Sequence, residues 1–427
     1  MTSDVSFYLE HCSSEVHVKL LHTTLLIAVT AFVGTVTVTE VWAQARVPRE
    51  STRPIEFVTH IIDTGLTRGY QTVVADLNGD DRPDVIALST RLSDLVWYEN
   101  PGWQKHIIAT DLSRMINMAA HDVDDDGVPE IALAHGFSSS YDQSSGIVSL
   151  LTHRGDPKQE WTIREIDRVP TTHRLRWVDF DGSGAMALVN APLVGSASSA
   201  PDYSDDLSLL WYEPGDWRRR VMTDAERGVV HGIEVAPWGD VSREAVLSAS
   251  FLGVHVHEFA GGSWVRTRVV DGDPASWPES GASEVQVGHA GSEHFLATIE
   301  PWHGHQVVVY ESRAISNPSA WRRQVIDSTI EDGHTLVVAD IDGDGRDEIV
   351  VGERRGRQSV YLYQLDADST VNWSKQVLDD GDMAAAGCSV ADLDENDRLD
   401  IICIGSSTAN LKWYENVGTQ TGSRGSR

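Results

Sequence analysis

The strongest constraint in this sequence is that it repeats itself seven times, and the count comes out the same on two separate units. One unit opens on an aromatic residue and closes on a branched pair. It appears as FVTHII at Phe57, WQKHII at Trp103, WTIREI at Trp161, WRRRVM at Trp217, WVRTRVV at Trp264, WRRQVI at Trp321 and WSKQVL at Trp373, with 46 to 58 residues between copies. Alternating apolar and polar residues mark each as a half-buried strand. The second unit follows each copy: an apolar strand, an acidic turn and another apolar strand. Its clearest forms are VVADLNGDDRPDVIAL from Val73, AAHDVDDDGVPEIALA from Ala119, VVADIDGDGRDEIVVG from Val337 and SVADLDENDRLDIICIG from Ser389. WVDFDGSGAMALV from Trp177 is a partial copy, and two more keep the hairpin outline but lose the acids. A third strand closes each repeat: LVWYEN, IVSLLT, LSLLWYE, GVHVHEF, QVVVYE, SVYLYQ and LKWYEN.

Four short strands per repeat, taken seven times, predict an all-β seven-bladed β-propeller, in which each blade buries its faces against its neighbours. The aromatic strand at Phe57 precedes the first hairpin, and nothing like it follows the last LKWYEN. The N-terminal strand is therefore expected to pair into the last blade and close the ring, which removes an open sheet edge. The propeller is expected over residues 55–418, after a linker over 46–54 and before a disordered tail over 419–427.

Residues Leu20 to Val41 form the long apolar stretch of the chain; Lys19 precedes it and Ala43-Gln44-Ala45 follows. That pattern reads as a secretory signal peptide over residues 1–45, cleaved in the mature protein and leaving no membrane span. The expected location is secreted or periplasmic. With 64 acidic against 34 basic residues and a formal charge of −30, the chain is a poor partner for nucleic acid. Of the three cysteines, Cys12 falls in the leader, while Cys388 and Cys403 flank the last acidic turn symmetrically. They form either a cross-strand disulfide or two buried thiols.

The acidic turns follow D-x-[DN]-x-[DN]-x-x-x-[DE], with oxygen donors at alternate positions and a last carboxylate four residues on. Such spacing curls a loop around a hard cation, so several structural Ca²⁺ sites are expected. Four copies are intact: Asp76, Asn78, Asp80, Asp84; Asp122, Asp124, Asp126, Glu130; Asp340, Asp342, Asp344, Glu348; and Asp392, Asp394, Asn396, Asp400. A fifth begins at Asp179 and has Ala187 where its last carboxylate should stand. These hairpins resemble FG-GAP (VCBS-type) repeats, and LVWYENPGW with LKWYEN is similar to the variety in the propeller domain of the aldos-2-ulose dehydratase family. The resemblance covers residues 55–418. It implies the propeller fold and is compatible with lectin-like, adhesive or enzymatic members.

In an up-and-down blade the acidic turns crowd one face. The starts of the first strands and the loops between second and third strands share the other. Six residues before each turn, or its aligned equivalent, stand Tyr70, Ile116, His173, His231, Ser283, His334 and Ala386. Three imidazoles at one register of the innermost strands are expected to converge on the axis, so His173, His231 and His334 are the expected ligands of a Zn²⁺ or Mn²⁺ ion with an open position. The loops of that face add His303, His305, Glu300 and Tyr70 as acid or base candidates. Arg354 is placed to hold a substrate carboxylate, and Trp302 to offer a platform for a sugar ring. Two long insertions, from Gly136 and from Pro192, are expected to wall the face.

A divalent ion that polarises a carbonyl or carboxylate acidifies the adjacent C–H, and loss of a β-leaving group follows. The expected activity is therefore a carbon–oxygen lyase, a dehydratase or polysaccharide-lyase type, acting on a keto sugar or uronate. The family resemblance points the same way. The competing reading is a calcium-stiffened propeller that binds a glycan or protein without catalysis, and the axial histidines are what separate the two.

Overall fold

The computed structural model describes residues 53–239, 243–312, 321–366, 369 and 371–419. They belong to one compact unit, Arg49–Arg427. The expected signal peptide, with Cys12, most of the linker and residues 420–427 of the expected tail lie outside the described residues.

Among the described residues, twenty-eight strands form seven four-stranded antiparallel sheets. In chain order, blade 1 is β2 (Gly69–Ala75), β3 (Asp84–Ser89), β4 (Leu95–Glu99) and β5 (Gln104–Ala109), and blade 2 is β6 (Asn117–His121), β7 (Glu130–His135), β8 (Ile147–Thr152) and β9 (Thr162–Arg168). Blade 3 is β10 (Thr172–Val178), β11 (Ala187–Pro192), β12 (Asp206–Tyr212) and β13 (Arg220–Arg227), and blade 4 is β14 (Val230–Pro237), β15 (Glu244–Ser250), β16 (Gly253–Ala260) and β17 (Ser263–Val270). Blade 5 is β18 (Glu284–Ala290), β19 (Glu293–Glu300), β20 (Gln306–Ser312) and β21 (Arg322–Asp327), and blade 6 is β22 (Gly333–Ala339), β23 (Glu348–Glu353), β24 (Val360–Leu365) and β25 (Trp373–Asp379). Blade 7 is β26 (Ala385–Ala391), β27 (Asp400–Gly405) and β28 (Leu411–Thr419), with β1 (Ile55–Asp63) added outside β28. In that pairing Ile55 lies opposite Thr419 and His60 opposite Trp413, so the strand reaches one residue beyond the expected boundary. The first strands of the blades pack in a closed ring: β2 on β6, β6 on β10, and so round to β26 on β2.

The two faces of each blade meet different neighbours, so both are buried. Period-2 alternation therefore disappears from the middle strands. β3 (Asp84–Ser89), β7 (Glu130–His135) and β23 (Glu348–Glu353) are buried at every position. Seven apolar clusters result, one per blade-to-blade interface. That between blades 1 and 2, for example, joins Ile86, Leu88 and Trp97 to Leu133, Leu151 and Trp161. The outermost strands keep the alternation, with Ile107, Ile163, Val221, Val265, Val325 and Val377 exposed.

A polar stitch accompanies this core. The carboxylate near the end of one blade's outer strand accepts a phenol O–H from the next blade's third strand, and a cation completes the set. Asp63 joins Tyr98 and Lys105, Asp167 joins Tyr212 and Arg219, and Asp327 joins Tyr363 and Lys375. Asp379 joins Tyr414 and Lys412, both at 2.8 Å. This is the structural use of the tyrosines in the WYEN-type strands. Within blade 7, Cys388 and Cys403 are register partners on β26 and β27 and form a disulfide.

Candidate functional site

The acidic turns join first to second strands, so all of them lie on one face of the ring. Three of the four intact turns gather three carboxylates within 4.8 Å of one another: Asp122/Asp124/Glu130, Asp340/Asp342/Asp344 and Asp392/Asp394/Asp400. The turn of Asp76, Asn78, Asp80 and Asp84 does not gather three acids to that limit, although the last turn, which also holds an amide at Asn396, does. The last carboxylate has a further task in all four. It accepts the backbone N–H that follows the first Asp: Leu77 to Asp84, Val123 to Glu130, Ile341 to Glu348 and Leu393 to Asp400, at 2.8–3.0 Å. The second oxygens of Asp84 and Asp400 accept from Asn100 and Asn416. Burial, with like charge from Asp342, pushes Glu348 up to about 8. Burial, with the other carboxylates of their own loops, pushes Asp84 and Asp400 up to about 6. The loops are thus anchored by one acid each, and three of them gather carboxylates that could hold a metal ion.

The opposite face opens into a cavity of about 760 Å³ on the ring axis. Tyr70, Ile116, His173 and His231 line it from the starts of β2, β10 and β14 and from just before β6. Both insertions wall it: Phe137 and Ser139 come from the first, Leu193 and Tyr203 from the second.

Three imidazoles offer nitrogens within 4.8 Å of one another, and they are His231, His303 and His334. Two belong to the expected set; His303 was expected as acid or base. In blade 5 the axial register position is Ser283, and its imidazole arrives instead from the loop between β19 (Glu293–Glu300) and β20 (Gln306–Ser312). Ser283 Oγ accepts the His303 N–H at 3.3 Å, and His303 takes a left-handed φ of 48°. The turn is tight enough that a Cβ on Gly304 would lie 2.1 Å from the Glu300 carbonyl oxygen.

Each of the three has one nitrogen engaged behind it. His231 Nδ1 lies 2.7 Å from Glu284 Oε1, His303 Nδ1 lies 3.3 Å from Asp332 Oδ1, and His334 Nδ1 donates to the Ala386 carbonyl at 2.6 Å. The carboxylate behind His231 and the carbonyl behind His334 fix the tautomer that leaves Nε2 unprotonated, whereas His303 Nδ1 faces both the Asp332 carboxylate and an Arg354 N–H. His334 Nε2 is buried with no hydrogen-bond partner. His231 Nε2 and His303 Nε2 stand 3.1 Å apart, near the roughly 3.3 Å separation of two nitrogens around a tetrahedral zinc with ordinary bond lengths. Burial first, then neighbouring imidazoles and guanidiniums, holds His303 and His334 well below the usual imidazole range. Burial lowers His231 as well, although Glu284 opposes it. Neutral imidazoles are the form that binds a metal.

His173 is placed beside this group, its ring centroid 4.9 Å from that of His231, but it stands outside the three that converge. Its Nε2 accepts from Arg174 at 2.9 Å and faces the Tyr70 hydroxyl at 3.1 Å, so the lone pair a cation would need is already engaged. Arg174 also binds Glu284 at 3.2 Å, tying His173 to the support of His231. Glu284, Asp332 and Arg174 were missed in the sequence. Their signal is adjacency, since each lies within two residues of an axial register position.

Of the other expected site residues, Arg354 lines the cavity and donates to His303 Nδ1 at 3.2 Å and Asp332 at 2.9 Å. His305 is exposed, in a shallow neighbouring pocket with His303 and Asp332. Glu300 does not face the cavity. It is fully buried and accepts from Thr298, Tyr310 and Arg323 inside blade 5. Glu300→Ala is therefore expected to cost about 2–4 kcal/mol of stability by stranding buried donors, with turnover per folded molecule within about twofold of wild type. Thermal unfolding beside active-site titration measures both, and a large kcat loss at unchanged stability would return Glu300 to the chemistry.

Residues 145–313 match the family described as "Aldos-2-ulose dehydratase, beta-propeller domain", and residues 340–403 match an FG-GAP-like repeat. Over 288 residues the chain is 28% identical to aldos-2-ulose dehydratase of Phanerodontia chrysosporium. The chain is a distant homologue of aldos-2-ulose dehydratase. The match covers 60% of this chain and 32% of the relative, so the chain spans about a third of that protein. Among solved structures, the extracellular domain of a one-component system from B. thetaiotaomicron superposes with a TM-score of 0.52 at 10% identity, over 84% of this chain and 39% of that one. That likeness concerns the fold alone. Among the described residues no helix is long and apolar enough to cross a membrane.

Proposed function

We propose that the axial cavity is the active site of a divalent-metal-dependent carbon–oxygen lyase that performs β-elimination on a sugar. The supporting observation is the group His231, His303 and His334, whose nitrogens gather within 4.8 Å of one another, with Nε2 of His334 buried and without a hydrogen-bond partner. Zn²⁺ or Mn²⁺ suits three imidazoles with an open position. When bound there, such an ion supplies polarisation of a substrate carbonyl or carboxylate.

The protein's own groups do the rest. Tyr70 presents its hydroxyl to the cavity against His173 Nε2. As the phenol oxygen takes the proton from the substrate carbon, its own proton moves to His173 Nε2, and the Arg174 N–H that this nitrogen accepted is released toward Glu284. The C–H electron pair becomes the new C=C bond, and the β C–O bond breaks with its pair leaving on oxygen, so no oxidant is needed. Arg174 holds His173 in the accepting tautomer. Trp302 and Tyr203 give the sugar ring an apolar surface. The sugar as substrate follows from the distant relative's name. The acidic turns take Ca²⁺ as stiffening ions, and the disulfide fits an oxidising compartment outside the cytosol.

Metal analysis of purified protein, followed by ultraviolet detection of the conjugated product from keto sugars and uronates, tests the reading. About one zinc or manganese per chain and metal-dependent product are expected. Calcium alone, with no product from any sugar, would leave a binding propeller in its place.

A further inference from the structure

The charge of the cavity mouth is opposite to that of the molecule. The chain carries 64 acidic and 34 basic residues, yet the cavity is lined by Arg68, Arg114, Arg354 and Arg355 against one carboxylate, Asp332. That carboxylate is already shared by Arg354 at 2.9 Å, Arg355 at 3.2 Å and His303 at 3.3 Å. Arg68 and Arg114 are exposed and have no carboxylate partner among the described residues; Arg114 reaches the Gln143 carbonyl at 3.1 Å. The Arg354 Nε is buried with no hydrogen-bond partner. A cluster of guanidiniums in so acidic a protein, with donors left open, needs an anion to satisfy it.

The rim is also divided. The arginines come from blade 6 and from the connections leading into blades 1 and 2. The opposite arc, from blades 3 to 5, is aromatic: Tyr203 and Trp302 meet edge to face with centroids 5.4 Å apart, and Phe251 and Trp277 pack behind them. One arc suits the apolar face of a pyranose, and the other suits a planar anion, which a guanidinium fork binds in bidentate fashion.

We infer that the ligand of this cavity is an acidic carbohydrate, a uronate whose ring lies against Tyr203 and Trp302 and whose carboxylate is bound by Arg354, Arg355 and Arg68, and not a neutral keto sugar. This rests on the reading of the cavity as a sugar site and narrows its substrate class.

The test is calorimetric titration with uronate tetrasaccharides of the galacturonate, glucuronate and mannuronate series, beside the same compounds with carboxyls reduced to alcohols. Metal-loaded and chelator-treated protein are both titrated. At least one acidic member is expected to bind about tenfold or more tighter than its reduced form, with affinity falling as salt rises. The double variant Arg68→Gln/Arg355→Gln should lose about tenfold for the acid and little for the alcohol, and should keep its axial metal. Equal binding of acid and alcohol, no binding of any acid, or a double variant indistinguishable from wild type would each overturn the inference. Acid-selective binding without metal or turnover would sink the lyase reading and leave this one standing. Metal-dependent elimination of a neutral keto sugar without acid preference would do the reverse.

Discussion

Replacing His231 and His334 together with alanine is expected to remove the axial ion and abolish turnover while leaving the propeller folded. Both side chains are 2% exposed and project from the starts of inner strands, so their loss opens space on the axis without touching the inter-blade clusters. Metal per chain should fall from about one to near zero, and kcat/KM by about 10³ or more, since a lone imidazole cannot hold the ion that stabilises the developing charge. Glu284→Gln should weaken metal binding by about 10–100-fold through loss of the carboxylate behind His231. His173→Ala is the discriminating variant. It should retain the ion and lose kcat, because its Nε2 faces Tyr70 and Arg174 and not the common point. A His231/His334 double variant with full metal content would end the axial assignment, and a His173 variant that loses the ion would restore the set expected from strand register.

Calcium is expected to raise the unfolding temperature by on the order of 10 °C over chelated protein, as three or four loops each gain a ligand that the unfolded chain binds weakly. The pH dependence carries a distinctive sign. Glu348, Asp84 and Asp400 bind their protons more tightly in the fold than in the unfolded chain, with values of about 8, 6 and 6 against 4.5, 3.8 and 3.8. These three groups therefore hold more protons in the native state through the window from about pH 4 to pH 8, and their contribution to ion-free stability falls as pH rises across it. The buried histidines, held below the usual imidazole range, contribute in the opposite sense with or without calcium. The calcium increment should accordingly be larger at pH 8 than at pH 5. Scanning calorimetry at the two pH values, with calcium and with chelator, measures it. An unfolding temperature indifferent to calcium at both would show that the backbone anchoring of the last carboxylate suffices without an ion.

The sequence was most legible where one physical pattern repeats. Blade count follows from strands such as WQKHII and WSKQVL, because an aromatic at the start of each outer strand seals an interface; Trp161 does so between blades 1 and 2. Closure by β1 was legible because a strand unit preceded the first hairpin and none followed the last. The symmetric flanking of the last turn made Cys388 and Cys403 register partners but left disulfide and thiols an even choice, and the structure joins them in a disulfide. Glu300 was misleading because its neighbours in sequence, Trp302 and His303, do face the cavity. At the end of β19, inside the blade, it meets Tyr310 and Arg323 instead.

By itself the sequence determined the number of blades, the way the ring closes, which face holds the acidic turns, and which strand positions point at the axis. All of these follow from strand period and repeat length, which are local properties. Only the tertiary structure decided which imidazoles meet. His303 reaches the axis from a loop whose path is set by Gly304 and Ser283, not by any strand period. The groups that tune the histidines come from neighbouring blades, as when Glu284 of blade 5 holds both His231 of blade 4 and Arg174 of blade 3. Contacts between residues so far apart along the chain exist only once the ring has closed around its axis.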